Sequence, residues 1–225
     1  MRVACALVGD RLTSYRPRLV LASASPSRRQ ILASAGIAAD VVVSGVDEST
    51  ITESDINRRC QALARLKAQA VADQLKTETS VTDRGESPSG APTLVLGCDS
   101  LLEFDGQVLG KPADAATATA RWRRMRGRSG VLHTGHAVVE VASGHIVEAV
   151  SRARVHFAAV TDAEIEAYVA TGEPLQVAGA FTIEGYGAPF VARIEGDPGT
   201  VLGLSLPLLR HLLDELGVPI TALWR

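Results

Sequence analysis

Apolar positions along this chain follow two rhythms. Unbroken runs fit buried strands: RLVLAS from Arg18 to Ser23, ADVVVSGV from Ala39 to Val46 and TLVLGCDSLLEF from Thr93 to Phe104. Between the first two, PSRRQILASAG opens with Pro26 and closes at Gly36, which predicts a short helix. A longer helix is predicted from Ser54 to Lys76, where Ile56, Leu63, Leu66, Ala70 and Val71 recur near helical spacing. Residues Thr77 to Pro92 hold almost no large apolar side chain and are rich in Ser, Thr, Gly and Pro, so they read as a flexible insertion loop. Asp105 and Gly106, between TLVLGCDSLLEF and QVLGKP, mark a hairpin. A helix over Pro112 to Met125 and strands over Val131 to Val141 and Ile146 to Phe157 follow. Thr161 with Glu164 makes a capping box for a helix reaching about Ala170. The Gly-rich stretch from Gly172 to Gly203 has no clear rhythm, and LPLLRHLLDELG ends the pattern as an amphipathic helix capped by Gly217.

Strands alternate with helices, yet tight hairpins are present too. The fold class is therefore α/β, with a mixed, twisted sheet and flanking helices. One domain over residues 18–225 is expected, with residues 1–17 as an extension.

Composition narrows the function classes. With 225 residues and 46% hydrophobic content, the chain can bury a core without disulfides or a structural metal. A formal net charge of −2 argues against a nucleic-acid coat and against a polybasic membrane binder. No apolar run approaches the ~20 residues of a membrane span, and MRVACALVGDRL is too short in its apolar part for a signal peptide. Cys5, Cys60 and Cys98 are odd in number and form no CxxC pair, so a reducing cytoplasm is the expected location. Only Lys67, Lys76 and Lys111 stand against 20 arginines, which draws attention to each lysine as a compact point charge.

Three groups of residues could carry chemistry. In LASASPSRRQILASAG, a strand passes through Ser23, Ser25 and Pro26 into a helix that begins with Ser27, Arg28 and Arg29. Free amides at the helix start, serine hydroxyls and the Arg28 fork suit an anion; a Ser-capped surface helix with solvated arginines fits the same letters. No GxxxxGK[ST] loop occurs. Carboxylates form the second group: Asp47 and Glu48 after ADVVVSGV, and Asp99 after TLVLGC, emerge where buried strands end. Two such groups with a phosphate can hold Mg²⁺, and Asp99 beside an apolar run could take a proton from water; a solvated turn or cap explains any one of them alone. Lys111 lies across the hairpin from Asp99, near the same edge or simply exposed, and Lys67 on the long helix is equally open. RWRRMRGR, from Arg121 to Arg128, reads as a solvated helix end rather than a nucleic-acid patch. His133 and His136 point to opposite faces of a strand, so HTGH is not a zinc pair.

Taken together, the SxSPxR core, VDES, the lysine of ARLKAQA, GCDS with GKP twelve residues on, AGAFTIEG and GLSLPLL resemble the Maf family in order and spacing from about Leu19 to Leu216. These are nucleotide pyrophosphatases first described as septum-formation proteins. The resemblance implies a Maf and inosine-triphosphatase type of fold, two lobes around a cleft, and hydrolysis of nucleoside triphosphates to monophosphate and pyrophosphate with Mg²⁺, Mn²⁺ or Co²⁺. It further implies that Asp99 accepts the proton, that Glu48 and Asp99 hold the metal, and that Ser23, Ser25, Arg28, Lys67 and Lys111 bind substrate. Ser27, Ser100 and Glu184 occupy positions that choose the base. The branch acting on dTTP and UTP has Arg, Thr and Gln there, and the branch acting on 7-methyl-GTP has an aromatic residue and a Gln at the first two. Glu184 resembles the second branch but Ser27 does not, so the chain belongs to neither, which leaves a normal or modified nucleotide, including inosine or xanthosine triphosphate, as substrate. Val177 and Gly130 replace a lysine and a histidine of the family pattern, so a nucleotide-binding regulator of cell division with little catalysis is the rival from another class. The family habit and the apolar GLSLPLLRHLL stretch point to a homodimer, with no nucleic-acid or membrane partner.

Overall fold

The apolar runs become strands of one sheet. The computed structural model describes residues 16–82 and 91–225, and among them seven strands join in a mixed sheet. They are β1 (Arg18–Leu21), β2 (Ala39–Val41), β3 (Thr93–Phe104), β4 (Gln107–Leu109), β5 (Ser129–Glu140), β6 (Ile146–Phe157) and β7 (Val191–Glu195). The order is β2-β1-β3-β5-β6-β7, with β4 also paired to β3. β1 runs parallel to β2 and β3; the other pairings are antiparallel. The helices are α1 (Pro26–Ser34), α2 (Ile56–Thr82), α3 (Ala115–Met125), α4 (Asp162–Ala170), α5 (Pro198–Leu202) and α6 (Leu206–Glu215).

Both faces of the central strands are covered, which is why they read as continuous apolar runs. Leu19, Leu21, Leu94 and Leu96 pack with Leu32 of α1 and Leu209, Leu212 and Leu213 of α6. Val20, Val95, Ala137 and Val139 pack on the other face against Ala64, Ala68, Val71 and Ala72 of α2. A second lobe forms at the far end of β3, where Leu102, Phe104, Leu132, Phe157, Tyr168 and Phe181 surround the fully buried Trp122 of α3. Trp122 meets Phe157, Tyr168 and Phe190 edge to face, and its indole N–H donates to the Ala180 carbonyl at 2.6 Å. The apolar stretch that suggested self-association is thus buried largely within its own chain.

Two features of this sheet position the cleft. The first is a break along one edge of β3: β1 pairs with it from Thr93 to Leu96 and β4 from Leu102 to Phe104, leaving Gly97 to Leu101 without a strand neighbour on that side. The second is the close seat of α2. Cys60, Ala64, Ala68 and Ala72, four residues apart, are wholly buried. A Cβ on Gly97 would lie 2.2 Å from the Ala64 carbonyl oxygen, and one on Gly135 2.3 Å from that of Cys60. Only glycine lets helix and sheet backbones approach this closely.

The structure departs from the sequence reading in places. β2 ends at Val41, short of Val46. Asp99 sits inside β3 instead of at a strand end. Helix α2 continues past Lys76 to Thr82, helped by Gln74 donating to Glu78 and Thr77 donating to the Asp73 carbonyl, both at 3.0 Å. The start of the presumed loop is therefore helical; its remainder from 83 to 90, the 1–15 stretch and Cys5 lie outside the described residues. The Gly-rich stretch resolves into three 3₁₀ turns, β7 and α5. The arginines of RWRRMRGR pair locally: Arg126 with Asp162 at 2.7 Å, Arg128 with Asp105, and Arg123 with Asp162 and Glu166. Among the described residues, no helix is long and apolar enough to cross a membrane.

Two stability predictions follow from these contacts. Replacing Gly135 by Ala forces α2 off the sheet and lowers unfolding free energy by about 1–3 kcal/mol in denaturant titration. An unchanged midpoint contradicts the close seat. His136 is buried between the Thr134 carbonyl, 3.0 Å from Nδ1, and the Ser205 amide, which donates to Nε2 at 2.8 Å, so the neutral Nδ1–H tautomer is fixed. Burial, with help from Arg28, pushes its pKa down from 6.5 to about 4. The unfolded chain therefore takes up this proton first, and stability is lost as pH falls from about 6.5 toward 4, by roughly 3 kcal/mol for this group. A His136→Gln protein should lack this part of the slope whatever its stability at pH 7. Parallel stability curves for the two proteins from pH 7 to 4 contradict the assignment.

Candidate active site

The break beside β3 opens into a cleft of about 1000 Å³. β1 leads into it through Ser23 and Ser25 to α1; β3 crosses its floor; Lys111 follows β4; α2 supplies one wall. Ser23, Ser25, Ser27, Arg28, Glu48, Lys67, Asp99, Ser100, Lys111 and Glu184 all line it. Residues scattered over 160 positions of sequence thus meet at one place, though not in the arrangement their letters suggested.

Its electrostatic centre is Lys67. The ammonium lies 2.6 Å from Asp99 Oδ1 and 2.8 Å from Glu48 Oε1. Lys67 and Asp99 side chains are only 12% and 11% exposed, so this ion pair is held largely away from water, whereas Glu48 is 56% exposed. Burial pushes the Asp99 carboxyl above the ordinary range, and the opposing pull of Lys67 and Arg28 offsets this only in part. Asp47 sets Glu48 in place by accepting the Ser49 amide at 2.9 Å and opening a 3₁₀ turn at Glu48.

Arg28 is built into the wall. Its Nη1 donates to Ser23 Oγ and to the Cys98 carbonyl, both at 2.9 Å; Nε donates to the Gly203 carbonyl at 2.8 Å and Nη2 to Ser100 Oγ at 3.3 Å. The guanidinium takes the place of the missing strand neighbour at Cys98. Ser100 passes the network inward: Thr134 Oγ1 donates to the Thr200 carbonyl at 2.8 Å, so the 2.9 Å contact between Ser100 and Thr134 has Ser100 as donor. Ser25 is the residue before α1, but its side chain makes no cap bond, and its amide donates to Ser23 Oγ at 3.2 Å. At the mouth, Ser27 Oγ donates to Glu184 Oε2 at 3.0 Å. Two of the three positions expected to choose the base are therefore joined across the cleft.

Sequence reasoning missed Glu173. Its carboxylate accepts from Thr182 Oγ1 at 2.5 Å, the Gly187 amide at 2.9 Å, the Tyr186 amide at 3.0 Å and Tyr168 Oη at 3.1 Å. Partial burial raises its pKa, but these donors outweigh it and leave the carboxyl below its ordinary range. One carboxylate thus fastens the loop that carries Glu184. No local pattern marks it, because its partners spread from Tyr168 to Gly187.

Among the described residues, no group of three or more His, Cys, Asp and Glu side chains can hold a metal ion. Glu48 and Asp99 nevertheless converge on one cation. Two carboxylates completed by phosphate oxygens and water suit a hard divalent ion, which fits a metal that arrives with a nucleotide better than a resident one.

Residues 18–216 match the family model described as Maf-like protein. The chain belongs to the Maf-like family. It is 63% identical over 207 residues to a nucleoside triphosphate pyrophosphatase of Salinispora tropica, covering 92% of this chain and 87% of that one. A protein of the same name from Streptomyces coelicolor is 54% identical over 209 residues, covering 93% and 95%. One from Synechococcus elongatus is 49% identical, covering 93% and 98%. Within this Maf-like chain, Val177 lines the cleft, while Gly130 lies in β5 with Leu102 and Glu103 too close to admit a side chain without a shift.

The clamp on the Glu184 loop can be tested. Replacing Glu173 by Ala leaves two hydroxyls and two amides without their acceptor and should cost about 1–3 kcal/mol of stability. Hydrogen exchange should quicken at the Tyr186 and Gly187 amides, with α1 unaffected. Unchanged exchange at both amides means that Glu173 does not hold the loop.

Proposed function

We infer that the chain is a nucleoside triphosphate pyrophosphatase, releasing the nucleoside monophosphate and pyrophosphate. The observation that carries this reading is the buried Asp99 at the floor of an open cleft, paired with Lys67 and sharing that cleft with the start of α1, whose first turn has no side-chain cap. Relatives that share about half or more of its residues bear that name.

In the proposed reaction, a water oxygen bonds to the α-phosphorus and the bond from that phosphorus to the oxygen bridging toward the β-phosphorus breaks. The water proton passes to Asp99. Lys67 holds Oδ1, which leaves Oδ2 to receive that proton. Amides at the start of α1 and the Lys111 ammonium attract phosphate oxygens and stabilise charge that builds on the departing pyrophosphate. Arg28 acts through position, keeping Ser23 and Ser100 in place. Mg²⁺, Mn²⁺ or Co²⁺ held by Glu48 and Asp99 would supply Lewis-acid polarisation of the phosphate. A carboxylate at Glu184 favours bases that present N–H donors, and Ser27, hydrogen-bonded to it at 3.0 Å, holds that carboxylate at the mouth.

Asp99→Asn should reduce turnover by roughly 10²-fold or more while nucleotide affinity is retained. In the wild type, Asp99 must be ionised to accept the proton. Its raised pKa therefore places the acidic limb of kcat/KM above the ordinary aspartate value of about 3.9. Pyrophosphate release is to be measured over normal and modified triphosphates with each of the three metals. Tight nucleotide binding without release by wild-type protein would favour a regulator; wild-type rates in the Asn variant would remove Asp99 from the chemistry.

A further inference from the structure

Four cationic side chains line the cleft: Arg28, Arg59, Lys67 and Lys111. Two are already committed, since Arg28 donates to four protein acceptors and Lys67 is held by two carboxylates. Lys111 and Arg59 make no side-chain hydrogen bond or ion pair among the described residues. Arg59 stands out further. Its Nε is the one buried side-chain nitrogen or oxygen among the described residues that lacks a partner, an arrangement folded proteins seldom leave without a reason.

The Arg59 side chain also lines the cleft. Arg59, Leu63 and Lys67 fall at i, i+4 and i+8 on α2 and line the cleft together, about 12 Å from first to last along the helix axis. Leu101 lies two residues beyond Asp99, on the same face of β3. It packs with Ile56 and Cys60, either side of Arg59 in sequence, and its Cδ2 is 3.9 Å from where a Gly110 side chain would begin, next to Lys111. Arg59 and Lys111 therefore flank one stretch of the cleft floor just past the reactive carboxylate.

We propose that Arg59, with Lys111, forms the subsite that holds the pyrophosphate half of the substrate. This inference rests on the triphosphate-cleaving reading above. Pyrophosphate is the more highly charged product, and the two cations without a protein partner are the ones able to meet it. The guanidinium fork grips two phosphate oxygens at once, which a lysine cannot do. No carboxylate lies within ion-pair reach of Arg59 among the described residues to compete for it.

Calorimetric titration with inorganic pyrophosphate, and separately with a nucleoside monophosphate, in magnesium buffer tests the assignment on wild type, R59Q and R59K. R59Q should weaken pyrophosphate binding about tenfold or more and leave the monophosphate within about twofold, with thermal unfolding of the free protein unchanged. R59K should recover part of the loss, and its pyrophosphate product inhibition should remain weaker than that of wild type. Wild-type pyrophosphate affinity in R59Q and R59K, equal losses for both ligands, or no pyrophosphate binding by wild type overturns the subsite. Failure of the activity itself is seen separately, as wild-type protein that releases no pyrophosphate from any triphosphate.

Discussion

An ionised carboxylate inside a central strand, under a covering helix, needs a partner, and the pairing of Asp99 with Lys67 is the constraint around which this molecule is arranged. Isolated burial of such a charge would cost several kcal/mol, so the partner must come within contact distance. Lys67 reaches Asp99 at 2.6 Å because α2 lies against β3 and β5 backbone to backbone. That seat in turn requires Gly97 and Gly135 below and the small residues Cys60, Ala64 and Ala68 above. A packing feature with no chemistry of its own therefore fixes the geometry of the charged site.

The sheet edge solves a complementary problem. A strand gap that gives substrate access also strips backbone groups of their ladder partners, and a buried carbonyl without a donor is costly. Arg28 answers for Cys98 by donating to its carbonyl, and ties the same point to Ser23, Ser100 and Gly203. Access at the gap is thus compatible with a rigid floor. The arginine that looked like a substrate ligand is, in the free protein, the brace that permits a cleft at this place.

How much of this could be read from the sequence differs between fold and site. The strands were legible because both their faces are buried, and α4 because Thr161 and Glu164 form its capping box. The end of α2 was not, since polar i, i+4 contacts such as Gln74 to Glu78 carry it past its last apolar turn. Every proposed site residue lines the cleft, yet their interactions were hidden. Nothing local says that Lys67 bridges Asp99 and Glu48, that Ser27 reaches Glu184, or that Glu173 gathers four donors. Such contacts depend on tertiary register, which residue letters and spacing do not encode. Arg59 escaped notice because one arginine among 20 carries no signal until its lack of partners is visible.

Charge at the centre of the cleft has a consequence for how substrate enters. Lys67 offers one positive charge against the two carboxylates of Asp99 and Glu48, so that cluster alone repels a polyphosphate. In the proposed reaction, attraction would come from the open first turn of α1, from Lys111 and Arg59, and from a divalent cation carried in with the nucleotide. A metal bound between Glu48 and Asp99 would compete with Lys67 for both carboxylates. In the free protein, Lys67 holds the two carboxyl groups together at the place where that cation would bind.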